Sequence, residues 1–496
     1  MSTPDFFIAR LEQMIDPKHP LAVLATRMPW AALERALTPQ PELGERPVAT
    51  ETVKDLFGTH ERPVSVGDSA AGRPRLPMRL MLSLLYLKHA YNLSDEAVVE
   101  RWSENVVWQF FSGEAYYRPT SPCDATQLGR FRSRLGEAGM EELLKATLDT
   151  AVATKAVQPS EFERVIVDST VQEKAIAHPV DSRLLEIARY KVVKAAKGVG
   201  IVLKQTFQKE GKQLRRRAGG YAHAKQFKRL RKVLKRQRTI LGILLREVER
   251  KLPQATNGSP LRLAALKTLT ERAERIRTQR PKDKNKLYAL HAPEVECIGK
   301  GKARKPYEFG VKASIAVTHK NGLVVGARTF PGNPYDGHTL NSQLEQVGIL
   351  LEDVGVKPKQ AVVDLGYRGV DRDNPDVEIL HRGWWKSMTK KQRRWLKRRQ
   401  AVEPTIGHMK SDHRMERCWL QGEHGDAMHA VLCAAGYNLR WLLRAIVRLG
   451  IPPLFLRPRW RWLAGWEWGS GMKSRRTDRE SHRPAAAVPF VEFAAA

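Results

Sequence analysis

A chain of 496 residues, 42% of them hydrophobic, has apolar sequence enough for a sizeable core and about two to four domains. Its 85 Lys and Arg against 53 Asp and Glu leave a net charge of +32, which calls for a polyanionic partner, with nucleic acid ahead of an anionic membrane. Cys123, Cys297, Cys418 and Cys433 are scattered without Cys-x-x-Cys pairing, so neither a zinc motif nor a disulfide framework is supported and a reducing cytoplasm is expected. Asp5, Arg10 and Glu12 interrupt any signal-peptide run at the start, and no uncharged stretch looks long enough to span a bilayer.

Residues 1–60 alternate helical patches with proline and read as a loosely packed leader. From Leu76 the pattern sharpens into short helices separated by tight turns. Pro77–Lys88 is a mostly apolar helix, Ser94 opens a second with a capping-type start, and Asp124 with Gln127 is placed to cap a third. This is the pattern of a helix-turn-helix-like domain over residues 61–155. Its third helix carries Arg130, Arg132 and Arg134, side chains able to reach phosphates and base edges; an ordinary bundle with a solvated basic face is the alternative.

Arg164-Val-Ile-Val-Asp168-Ser-Thr170 is a β-branched run closing on an acid, as a buried strand does. Residues 181–290 then intervene as a helical insertion. Leu230, Val233, Leu234, Leu241, Leu244, Leu245 and Val248 recur at helical steps, and a second pattern through Leu266 to Ile276 follows Asn257-Gly-Ser-Pro260, so a helical hairpin is expected. Between Lys212 and Arg250 stand fourteen Lys and Arg against two Glu, among them Arg215, Arg216, Arg217, Lys228, Arg229 and Lys232. The density favours a grip on phosphate backbone over a solvated face; the apolar stripe has dimerisation as an alternative use.

Strands resume at Tyr307–Thr318 and, after the turn signal Asn321-Gly322, at Leu323–Phe330. A loop with Asp336 and His338 leads into a helix from Thr339; these two residues could lie near a metal or a scissile phosphate, but read first as loop and cap groups. Gln360-Ala-Val-Val-Asp364 is a second strand ending in an acid, and Val377–His381 a last one. Trp384–Arg399 carries eight Lys and Arg and no acid, with three Trp; Lys390, Arg394 and Arg398 are its DNA-contact candidates, and the indoles suit stacking on unpaired bases or lining a backbone groove, with tryptophans packed under a basic face as the alternative. In Arg399-x3-Glu403-x6-Lys410 the helical period turns all three toward one site, and Pro404 places Glu403 in a first helical turn.

Two strand-end aspartates and a helix glutamate form a donor set for two divalent cations. Two such carboxylates about 4 Å apart repel by roughly 4 kcal/mol at an effective dielectric near 20, which a divalent ion relieves. These segments, together with Gly407–Arg414 and Gly425–Asn438, resemble the DDE transposases of bacterial insertion sequences. The resemblance implies an α/β, RNase H-like mixed sheet with flanking helices over residues 160–450, a long helical insertion after the first strand, and an N-terminal helical domain. It implies Asp168, Asp364 and Glu403 as the metal triad for Mg²⁺ or Mn²⁺, and Arg399 and Lys410 as DNA-contacting or positioning residues. Related chains carry a tyrosine three residues before the arginine; here that residue is Leu396.

The expected function is metal-dependent strand cleavage and transfer at terminal inverted repeats, on double-stranded DNA, by a homodimer in the bacterial nucleoid. No Gly-Lys-Ser/Thr phosphate loop is present, so no nucleotide cofactor is expected. The alternative is a DNA-binding protein with a silent RNase H-like site. An RNA-binding protein would explain the charge but not the acids. Residues 451–496 read as a basic tail, disordered beyond about Ser470.

Overall fold

The computed structural model describes residues 9–38, 50–55, 58–63, 76–255, 259–299, 305–369 and 374–454; the tail from residue 455 onward lies outside them. The chain opens with α1 (Leu11–Met14), α2 (Pro20–Arg27) and α3 (Trp30–Leu37), followed by a hairpin of β1 (Thr50–Asp55) and β2 (Gly58–Pro63). The expectation of a loose leader is corrected here. Leu21, Leu24, Trp30 and Leu33 are buried in the main core. Pro20 starts α2 and Pro29 is the N-cap of α3, so these two prolines begin helices, where their missing N–H costs nothing, and do not interrupt them.

Four helices follow: α4 (Met78–Ala90), α5 (Asp95–Glu104), α6 (Val106–Phe111) and α7 (Ala125–Ala153). Ser94 caps α5 by accepting the Ala97 N–H, and Asp124 and Gln127 form the reciprocal capping box of α7. Gly136, at φ 66°, kinks α7. Next come β3 (Arg164–Glu173) and the insertion, which holds α8 (Asp181–Gly198), α9 (Gln208–His223), α10 (Phe227–Lys251) and α11 (Pro260–Thr278). The expected hairpin is therefore half of a four-helix unit. Leu241, Leu245 and Val248 of α10 are buried against α8 and α11, and Leu244 packs toward α9, so the apolar stripe is consumed within the chain and is not a dimerisation seam.

The remaining elements are β4 (Glu296–Gly299), β5 (Tyr307–Thr318), β6 (Val324–Phe330), α12 (Gly337–Leu350), β7 (Gln360–Val362), β8 (Glu378–Leu380), α13 (Lys390–Lys397), α14 (Val402–Asp412) and α15 (Gly422–Leu449). They complete the expected mixed sheet, in the order β4-β5-β3-β7-β8 with β6 also on β5. β3 runs antiparallel to β5 and parallel to β7. Helices α2–α7, the sheet and α15 share one apolar core, so burial is continuous past residues 155–160, where a domain boundary was expected.

α15 is the axis of that core. By length and composition it could cross a bilayer, although Arg440 and Arg444 keep it from being uncharged, and most of that stretch is buried inside the protein. From it Asn438 accepts the Val324 N–H and donates to the Val324 carbonyl and to Thr147 Oγ1, pinning β6 and α7 together. At its N-terminal end Asp426 meets Lys174, which also pairs with Glu294 at 2.8 Å; all three side chains are buried. Removing the ammonium strands two buried carboxylates, so Lys174→Met is expected to lose about 3–5 kcal/mol in urea melts; an unchanged midpoint would show the cluster to be dispensable.

Between α4, α14 and α15 lie His89, His413 and His429. Burial pushes His413 down to about 4 and His429 to about 3, the latter also beside Lys88 and Arg414, and holds His89 well below its ordinary value. These imidazoles stay neutral in the folded chain and take up protons on unfolding near pH 6.5, so their stabilisation is full above that pH and is lost as pH falls toward 4. His413→Asn is expected to flatten the decline of the urea midpoint between pH 7 and 5; an unaltered slope would remove His413 from it.

Candidate active site

The site begins with a register. In the parallel ladder between β3 and β7 the last pair is Ile166 with Val362, and Asp168 and Asp364 each stand two residues beyond it. Neighbouring strands lie about 4.8 Å apart, so equal offsets put the two carboxylates side by side. Asp364 sits past the end of β7, as expected. Asp168 does not end its strand: β5 keeps pairing with β3 through Glu173, so the acid is mid-strand and marks only the end of the parallel half.

Each aspartate is oriented by a backbone N–H. Asp168 Oδ1 accepts from Ser169 at 2.9 Å, and Asp364 Oδ1 accepts from Gly366 at 2.8 Å as the cap of a short 3₁₀ turn. Glu403 comes from the first turn of α14, where Pro404 fits without a lost hydrogen bond. Between them lies Arg399, whose Nη1 is 3.3 Å from Asp168 Oδ2 and whose Nη2 is 3.9 Å from Glu403 Oε1. Arg399 belongs to a 3₁₀ turn ahead of α14, not to the same α-helix as Glu403, and this lets it reach across to β3. Lys410 is in the last turn of α14, about 10 Å along the axis from Glu403 at 1.5 Å per residue.

The Asp168 side chain is 17% exposed and that of Glu403 is 64% exposed, so the site is closed on the sheet side and open on the helix side. Burial pushes the Asp168 carboxyl up to about 6; Arg399 opposes this, and Asp364 and Glu403 reinforce it. Three carboxylates around one guanidinium leave a shortage of positive charge, and their hard oxygen donors fit divalent cations of the Mg²⁺ or Mn²⁺ type. Beside them a cleft of about 1130 Å³ is lined by Asp364, Arg399, Arg382, Lys397 and the exposed Trp384 and Trp385.

The candidate DNA contacts divide. Arg130 and Arg134 on α7, Arg215, Arg216 and Arg217 on α9, Lys228, Arg229 and Lys232 on α10, and Lys390 and Arg394 on α13 are all exposed or half-exposed. Arg132 is not: its side chain is 7% exposed and grips Asp95 through both Nη atoms, at 3.2 and 3.1 Å. That is a correction, since a bidentate buried pair holds the helical bundle and presents nothing to DNA. Arg398 is exposed but donates to the carbonyls of His319 and Lys320. Of the three indoles, Trp395 is half-buried under the Arg164 guanidinium, 3.4 Å from its centroid, and so is a packing group.

The sequence pattern assigns no role to two further groups here, Lys312 and Tyr367. Lys312 pairs with Asp336 at 2.9 Å, and the buried Tyr367 ring has Asp336, Asp168 and Asp364 as its charged surroundings. A lysine inside the strand-like Val311–Val317 run, where Ser314 is the only other polar side chain, was the available signal.

Residues 56–134 match a family described as a transposase domain (DUF772), and residues 273–439 match the transposase DDE domain. The second match includes Asp364, Arg399, Glu403 and Lys410 and begins beyond Asp168. An uncharacterized protein, ORF8 in the nfe locus of Rhizobium meliloti, is 43% identical over 223 residues, 45% of this chain and 95% of that protein. No solved structure matches. With a transposase helical domain ahead of it and a DDE domain built on the acid-bearing sheet, the chain belongs to the DDE transposases of insertion sequences.

Proposed function

We propose that this transposase hydrolyses a phosphodiester at the terminal inverted repeats of its element and joins the freed 3′ end to target DNA, with Asp168, Asp364 and Glu403 holding two divalent cations, Mg²⁺ or Mn²⁺. The observation that supports this most is the equal offset of the two aspartates beyond the β3–β7 ladder, with Arg399 joining Asp168 to Glu403 beside them. Cations bound among these carboxylates supply charge neutralisation and activation of the attacking and leaving oxygens.

The chain's own residues do the rest. Asp168 and Asp364 offer oxygens already oriented by the Ser169 and Gly366 N–H groups. Glu403, on an exposed first turn, adjusts to the bound ions and substrate. Arg399 has a planar fork that suits a phosphate as well as a carboxylate, so it offsets the repulsion among the acids until cations take over that role, and then contacts the backbone of bound DNA. In the first step water adds across a P–O bond: its hydroxide joins the phosphorus, leaving a 5′ phosphate on one strand, and its proton ends on the departing 3′ oxygen as the 3′ hydroxyl. In the second, that hydroxyl exchanges for a 3′ oxygen at a target phosphodiester, so bonds broken equal bonds made and no nucleotide is consumed.

The exposed cations of α7, α9, α10 and α13 hold the double-stranded DNA backbone, and Lys410 extends that contact along α14. Trp384 and Trp385 in the cleft take unpaired bases. Pairing of two element ends calls for a homodimer on DNA, working at the nucleoid of a bacterial cytoplasm.

Asp168→Asn, Asp364→Asn and Glu403→Gln are each expected to lower end cleavage by more than about 100-fold, beyond the 10–100-fold usual for outer-shell changes, while DNA binding in a shift assay persists. Full cleavage by any of the three would remove that residue from the chemistry; tight binding without cleavage by the unaltered chain on its own ends would support the silent-site reading. Replacing Arg215, Arg216 and Arg217 by Ala is expected to weaken binding equally for element and unrelated DNA, and to make the log–log salt dependence shallower by about 0.9 for each phosphate no longer neutralised. An unchanged slope would place α9 off the DNA.

A further inference from the structure

Resting on the metal-site reading above, we infer that Asp336 is a fourth carboxylate of the metal centre, anchored on one oxygen by Lys312 and offering the other to a divalent cation shared with Asp364. Asp336 ends the turn-rich loop after β6 and stands at the N-cap position of α12, where its side chain makes no cap hydrogen bond. Lys312 reaches it from β5, the strand that pairs with β3 across Asp168, and its ammonium is 2.9 Å from Asp336 Oδ1 while also donating to the Pro334 carbonyl. Lys312 is 12% exposed in its side chain, so it is a clamp inside the fold and not a cation free for substrate.

The second oxygen turns toward the catalytic acids. A Cβ built on Gly366 would lie 2.9 Å from Asp364 Oδ1 and 3.1 Å from Asp336 Oδ2, so both oxygens crowd the same residue, and a side chain there would press between them. Behind it is Tyr367, fully buried, whose hydroxyl has no partner at hydrogen-bonding geometry among the described residues; Thr339 Oγ1 is turned to the Asp336 carbonyl. A buried phenol among Asp336, Asp168 and Asp364 has a hydrogen bond to give to what binds between them. A carboxylate held on one oxygen by a hydrogen-bonded partner and aimed with the other is the arrangement in which protein ligands meet metals. An Asp serving only as a helix cap or as a counter-ion for Lys312 has no need of a second oxygen crowding Gly366 beside that of Asp364.

The test is Mn²⁺ binding to the full chain without DNA, read as loss of the free-ion electron paramagnetic resonance signal, so that activity does not enter. Asp336→Asn is expected to raise the Mn²⁺ dissociation constant about tenfold or more. The same substitution is made in a Lys312→Met background, where no stranded ammonium can unfold the chain or repel the ion. There the tenfold loss is expected to persist. A loss seen only when Lys312 is present would show that Asp336 merely neutralises it, and unchanged binding in both backgrounds would overturn the assignment outright. Asp168→Asn and Asp364→Asn run alongside. If they abolish binding while Asp336→Asn does not, the fourth ligand fails alone; if none of the three affects Mn²⁺, the metal-site reading fails with it.

Discussion

The parallel pairing of β3 with β7 is the constraint on which the site depends. Only three residue pairs are joined in this ladder, from Arg164 with Gln360 to Ile166 with Val362, yet they set the offset of both aspartates. A slip of one residue would turn Asp364 to the opposite face of the sheet and separate the acids. The ladder is held by what covers it. Val165, Ile166, Ala361 and Val362 are wholly buried, and α15 is locked to the sheet through Asn438.

Around this pair the chain arranges charge in two ways. Inside the core, cations are matched closely by acids: Lys174 by Asp426 and Glu294, Arg132 and Lys88 by Asp95. At the site the balance is reversed, with Asp168, Asp364, Glu403 and the nearby Asp336 facing Arg399 and Lys312. The first arrangement favours a single packed state. The second keeps carboxylates that would repel one another, a cost that a fold tolerates where function requires it. Much of the excess positive charge then lies on exposed helices, above all on α9 and α10 of the insertion, which has its own apolar cores and adds a cationic surface without disturbing the sheet.

Much of this could be read from residue order. The β-branched runs before Asp168 and Asp364, Asn321-Gly322 between β5 and β6, the caps at Ser94 and Asp124, and Pro404 just inside α14 all have local causes, and the elements stand where those causes put them. What was not legible depends on partners distant in sequence. Arg132 looks like its neighbours Arg130 and Arg134, and only the position of Asp95 across the bundle turns it inward. The α10 stripe fits a dimer seam equally well until α8 and α11 are seen to cover it. The prolines of the first 38 residues suggested looseness because a helix-starting proline and a breaking one look alike without the helix. Asp336 and Lys312 are 24 residues apart on a loop and a strand, and no periodicity links them.

The most direct measurement of the central claim is anomalous diffraction from crystals of the protein grown with Mn²⁺. The expected result is a peak at carboxylate-coordination distance between Asp168 and Asp364, with Arg399 displaced from Asp168. Crystals in which Mn²⁺ is absent from these residues at saturating concentration, and in which the Arg399–Asp168 pair remains closed, would contradict the account.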